Sequence, residues 1–235
     1  MKLNAITTRS DIETPRRAID FVTWYEALLD RIRIEPDREL REQVLMRSGL
    51  AKVFYEELFP IYRLMQIKAA DWTDVEVTPV LGNQNYDARI VCRGTRPTGL
   101  PDWLEVTCVV DGRDDKFRMR HLVDHGITSM TGAVKTPRER GRAKVEIDDD
   151  VQSCDDTVAG MLRLLEMRIV DKVAKIYPAN TALILFVESH GTFRDKPYQS
   201  VLQDFVKARR AELRRVFPSV FLFTSLEGFL GEYSG

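Results

Sequence analysis

Residues 182–187 read ALILFV, six apolar side chains in a row. A strand with one face in water alternates apolar and polar residues, so an unbroken run of this length fits a strand buried on both faces. Such a strand needs a layer on each side, and the flanking sequence supplies candidates. Upstream, Val158, Met161, Leu162, Leu165, Ile169, Val173 and Ile176 recur at helical spacing as one apolar stripe, ended by Tyr177-Pro178. Downstream, an amphipathic helix is expected over about Tyr198 to Val216, stopped at Phe217-Pro218, with a short last strand over Val220 to Phe223.

Further upstream the hydrophobic period is two. Val75 and Val77 alternate with Glu76 and Thr78; Tyr86, Ala88, Ile90 and Cys92 alternate with Asp87, Arg89 and Val91; Trp103 to Val110 forms a third strand. The connections between them are too short for crossover helices, which makes the three an antiparallel meander. The first seventy residues read as helices. Thr14-Pro15 suggests a capped start, with Ile19, Val22, Tyr25, Leu29 and Ile32 at helical spacing. A second helix is expected over about Pro36 to Ser48, and a third over roughly Ala51 to Ala70, broken or kinked at Pro60. The expected fold is therefore α/β with a mixed sheet. Residues 1–72 form a helical N-terminal region whose last helix packs on the core, and 73–235 form the α/β core. Residues 113–147 interrupt that core with nine Lys or Arg against five Asp or Glu, an irregular basic insertion with a short helix around Arg118 to Asp124.

The chain has 235 residues, with 35 Lys and Arg against 36 Asp and Glu. A content of 44% hydrophobic and 30% charged residues can build a core and argues against wholesale disorder. No apolar run reaches the ~18 residues of a membrane span, so no membrane partner is expected. The start lacks the apolar segment of a secretory signal. Three cysteines without close pairing fit a reduced, cytoplasmic protein better than a disulfide scaffold. A net charge of -1 excludes a uniformly basic nucleic-acid coat but leaves room for a local basic patch. There is no phosphate-binding P-loop and no Rossmann glycine fingerprint, which removes the common ATPase, kinase and dehydrogenase readings. His121 and His125 would share a helix face, yet no HExxH pattern or nearby Cys completes a zinc site.

The chemistry is expected where carboxylates sit on strands. Asp87 lies in the second strand and Glu105 in the third, on the same face as Thr107. Acidic residues are poor strand formers, and two of them on adjacent strands either face solvent or hold a cation.

This order, helix, β-meander, helix, strand, with Asp87 on the second strand and Glu105-Val106-Thr107 on the third, resembles the PD-(D/E)XK nuclease superfamily over roughly residues 50 to 190. The resemblance implies a restriction-endonuclease-like core. It also implies a Mg²⁺ or Mn²⁺ site built on Asp87 and Glu105, with Glu57 on the preceding helix as a further ligand. Thr107 stands where the family has lysine and cannot carry charge. The helix before the buried strand offers a substitute. Lys172 falls about 40° from the centre of its apolar stripe, against about 80–100° for Lys175 and Arg168. It resembles superfamily members whose lysine has migrated to that helix. The implied activity is metal-dependent phosphodiester hydrolysis of nucleic acid, DNA first, with Asp87, Glu105 and Lys172 as catalytic residues. Arg118, Arg120, Arg138, Arg140 and Arg142 of the basic segment are the expected nucleic-acid contacts, and a homodimer is left open. The alternative is an inactive nuclease-like domain serving as a nucleic-acid-binding or assembly module. A third reading, an unrelated α/β protein with solvated strand acids, expects no convergence of these side chains.

Overall fold

The structure is a computed structural model and describes residues 2–34, 37–129, 134–135, 138–139, 142–143, 146–147, 153–188, 193–226 and 228–234. Its centre is a seven-stranded mixed sheet in the order β1 (Arg16–Arg17), β2 (Val75–Pro79), β3 (Ala88–Cys92), β4 (Trp103–Val109), β5 (Thr181–Val187), β6 (Ser219–Thr224) and β7 (Gly228–Ser234). The β1 to β4 pairings are antiparallel, β5 runs parallel to both β4 and β6, and β7 closes the far edge antiparallel to β6. The meander and the mixed α/β sheet are as the sequence pattern implies. All seven residues of β5 are buried, as the apolar run requires.

The two faces bury different layers. Leu104 and Val106 of β4, with Ala182, Ile184 and Phe186 of β5, face helix α1 (Ala18–Ile34) and helix α3 (residues 50–68). Val109, Leu183, Leu185 and Val187 face α5 (Cys154–Val173) and α6 (Lys196–Ala208). Two core aromatics of the first layer, Tyr25 and Phe54, stack at 4.5 Å between ring centroids. On the α5 side, Val158, Leu165 and Ile169 are the buried stripe. Ile176 lies beyond the end of that helix and is exposed, because the chain must turn there to enter β5.

Helix α3 is where sequence and structure part most instructively. It runs as an α segment Leu50–Val53, a π turn Phe54–Leu58 and an α segment Phe59–Lys68. Pro60 does not break it, because it occupies the first turn after the π segment. Proline has no N–H for the carbonyl four residues back, that of Glu56; the Cys108 thiol donates to this oxygen instead, at 3.1 Å. The π turn also changes the angular phase of Glu56 and Glu57.

Other expectations need correction. Thr14-Pro15 is not a helix cap: Arg16 and Arg17 first pair with Val77 and Glu76 as edge strand β1, and α1 starts at Ala18. The second helix, α2, covers only Arg38–Leu45, capped by the Asp37 carboxylate on the Glu39 N–H at 3.1 Å. The segment after β4 is more regular than its charge suggests. Helix α4 spans Gly112–His125, capped by Asp111 at its start and by left-handed Gly126 at its end. The expected long C-terminal helix is α6 followed by a separate turn, Arg210–Leu213. The chain ends in strand β7, which sequence patterning missed, since its buried and exposed residues do not alternate cleanly.

Candidate functional site

A cleft of about 1210 Å³ opens between α2, α3 and α4, with β4 and Asp87 at its floor and α5 along one side. Asp87, Glu105, Thr107, Glu57 and Lys172 all line it. The reason lies in how the sheet is covered. Helices α5 and α6 pack over β4 to β6, whereas on β2 and β3 that same face carries the half-buried Glu76 and Thr78 and the exposed Arg89. Asp87 and Glu105 stand at this margin, where charged groups can enter a sheet without occupying the middle of a core.

Asp87 sits one residue ahead of β3 and is held on three sides. Its N–H donates to the Leu104 carbonyl at 2.7 Å, its carbonyl accepts from the Val80 N–H at 2.9 Å, and its Oδ2 accepts from the Val106 N–H at 2.7 Å. Glu105 is 5% exposed. Neither acid is a solvated strand residue. Burial, then the neighbouring Glu105 charge, push the Asp87 carboxyl up to about 7; the Val106 N–H and Lys172 pull the other way.

Lys172 reaches this pair from the last turn of α5. Its Nζ donates to Glu105 Oε1 and, at 3.3 Å, to the Val106 carbonyl. Val106 thus ties the cluster together, its N–H on Asp87 and its carbonyl on Lys172. Glu57 lies close enough for the Glu105 charge to add to the burial that raises its carboxyl. Tyr177, in the turn between α5 and β5, has a buried hydroxyl without a hydrogen-bond partner; burial and the two carboxylates hold its proton more firmly than usual.

A second charged group, around Arg47, also borders the cleft. Arg47 pairs with Glu188 and comes within 3.9 Å of Glu56. Its backbone is left-handed at φ 44°, a conformation that costs a residue with a side chain on the order of 1 kcal/mol or more. Glu56, which an unbroken α-helix would turn away, enters the cleft because of the π turn. Sequence reasoning missed Arg47 and Glu188. The only signal is position: Arg47 stands just ahead of Ser48-Gly49, where a helix end favours glycine or asparagine, and Glu188 closes an apolar strand.

The basic segment divides. Arg118 is 8% exposed and donates to the Ser129 carbonyl at 2.8 Å, so it braces the end of α4 rather than facing a ligand. Arg120 lines the cleft mouth and pairs with Asp124 at 3.1 Å and with Glu42 of α2 at 3.3 Å. Arg138 and Arg142 lie on a two-residue antiparallel ladder, and Arg140 falls outside the described residues. The His121 and His125 rings lie 4.5 Å apart and tilted by 50°, with His121 Nδ1 within 2.8 Å of the Ile127 carbonyl.

Among the described residues, no group of three or more His, Cys, Asp and Glu side chains is gathered around one point to hold a metal ion. The acceptors of the Lys172 cluster, the Asp87 and Glu105 carboxylates and the Val106 carbonyl, are all oxygen. That set suits a hard cation such as Mg²⁺, which typically takes one or two carboxylates and completes its shell with water and phosphate oxygens. Also among the described residues, no helix is long and apolar enough to cross a membrane.

The fold and cleft define an α/β protein with a buried carboxylate pair and a lysine at the open margin of its sheet. Comparison with protein-family models, with curated proteins and with solved structures found no match to this chain.

Proposed function

We propose that the cleft hydrolyses phosphodiesters with the help of Mg²⁺ or Mn²⁺, in the manner of a PD-(D/E)XK-like nuclease, with DNA as the first substrate to test. The observation that carries this reading is the seating of Lys172 on Glu105 and Val106, beside a carboxyl group that its neighbours push up to about 7. Two acids and one ammonium at a cleft floor are the groups such a reaction needs, and burial sets them apart from surface charges.

Asp87 and Glu105 would hold the cation, with Glu57 near enough to join through its charge. The bound cation would supply positive charge to the phosphate and make an attacking water more acidic. The protein's own contribution is positional. The Val106 N–H fixes the Asp87 carboxylate, and Lys172 fixes Glu105 and offers its remaining ammonium proton to a phosphate oxygen or to the incoming water. Lys172 thereby supplies, from α5, the charge that Thr107 cannot.

The same reading extends to a reducing, cytoplasmic setting and leaves a homodimer to be checked by mass in solution. The second reading is a nucleic-acid-binding or assembly module without catalysis, favoured by Thr107. Incubation of labelled single- and double-stranded DNA with the protein and Mg²⁺ or Mn²⁺ separates the two. Metal-dependent cleavage lost in Glu105→Gln supports hydrolysis, whereas binding with no cleavage under any divalent ion supports the module.

A further inference from the structure

Thr107 is 3% exposed, lines the cleft, and has a buried hydroxyl with no hydrogen-bond partner. A buried hydroxyl left unsatisfied is costly, and natural proteins rarely keep one without use for it. The group above it follows from the register of α5 on β4. Helix α5 ends at Val173, and the chain re-enters the sheet at Thr181, which pairs with Trp103 at the start of β4. The helix therefore runs antiparallel to β4. Lys172 rests on Glu105, so stepping back four residues along the helix, about 6 Å, matches stepping forward two residues along the strand, about 6.6 Å. That step brings Arg168 over Thr107. Arg168 lines the same cleft, and among the described residues it makes no hydrogen bond or ion pair.

We propose that the Thr107 hydroxyl and the Arg168 guanidinium form an anion subsite beside the carboxylate pair, built to take a phosphate oxygen of a nucleic-acid backbone. The phosphodiester ligand rests on the function proposed above; the unpaired donors do not. Arginine supplies the charge and a planar fork of donors, and threonine supplies one short neutral donor at fixed depth. Together they would set which phosphate lies next to Asp87 and Glu105. The residue that departs from the nuclease pattern is then a ligand contact.

The test is binding of a fluorescein-labelled 12-nucleotide single-stranded DNA, followed by anisotropy in EDTA so that no cleavage intervenes. Thr107→Val keeps shape and removes the hydroxyl. It weakens binding about tenfold, as does Arg168→Gln, while Thr107→Ser binds like wild type. The double variant Thr107→Val/Arg168→Gln loses little more than either single one, since both donors serve one phosphate. Thr107→Val melts at or above the wild-type temperature, because the hydroxyl makes no bond in the free protein. Wild-type affinity in Thr107→Val, or losses that simply add, would overturn the subsite. A wild type that binds but never cleaves, with the same pattern of losses, would end the hydrolytic reading and leave the subsite standing. Absence of binding by the wild type would overturn the subsite, while metal-dependent cleavage by that same protein would keep the hydrolytic reading.

Discussion

Lys172 pairs with Glu105 across 67 positions of sequence, from the last turn of α5 to the middle of β4, and both side chains are largely withdrawn from water, at 17% and 6% exposure. A buried pair of this kind is costly to break on one side, because the surviving charge is left without compensation.

Lys172→Met is therefore expected to lower stability as well as activity, by about 3–5 kcal/mol. Adding Glu105→Gln to Lys172→Met should recover much of that loss. Lys175→Ala, on an exposed residue beyond the helix end, should stay within about 0.5 kcal/mol of wild type. Urea denaturation of the four proteins measures this directly.

Asp87 ties stability to pH. Its carboxyl is raised in the folded protein, by burial and by Glu105, to about 7, against about 4 for a free aspartate. The folded state then holds the proton over a range where the unfolded chain has released it. The contribution of Asp87 is full below about pH 4 and is lost as pH rises toward 7. Asp87→Asn removes this dependence. Without metal, the variant should melt higher than wild type at pH 8 and about equally at pH 4.

A divalent ion should relieve the same repulsion. Mg²⁺ or Mn²⁺ at a hundredfold excess over its dissociation constant would add about 2.7 kcal/mol to wild-type stability and little to Asp87→Ala. Thermal melts with and without the ion provide the check, and equal responses would remove the metal from the site.

Arg118→Ala should act on the fold rather than on ligand affinity. The guanidinium is buried against the Ser129 carbonyl, so its loss should destabilise the end of α4. Nucleic-acid binding at a temperature where the variant stays folded should match wild type. Arg138→Ala and Arg142→Ala are the variants whose effect should appear in the salt dependence of binding.

The sheet and its layers were readable because burial writes itself into period and run length. ALILFV had to be a central strand, and Val158, Leu165 and Ile169 had to cover it. Asp87 and Glu105 stood out as acids inside strand patterns, and Lys172, on the border of an apolar stripe, was singled out by the resemblance that left a cation wanting at Thr107. The placement of Glu56 was not readable. Its position depends on a π turn whose displaced carbonyl is met by Cys108, a contact 52 residues away. Angles counted at 100° per residue cannot show such a turn. The Arg47–Glu188 pair was hidden for the same kind of reason: it joins residues 141 positions apart and rests on a left-handed backbone at an arginine. Strand β7 was hidden because an edge strand with only one neighbour carries little hydrophobic pattern.

The most direct measurement of the central claim is single-turnover cleavage of labelled DNA with Mn²⁺ by wild type, Lys172→Ala, Lys175→Ala and Thr107→Lys/Lys172→Ala, each shown to be folded. If Lys172 supplies the missing strand cation, wild type and Lys175→Ala cleave and Lys172→Ala does not. The double variant recovers part of the rate by returning the charge to position 107. Cleavage by Lys172→Ala at the wild-type rate would contradict the account.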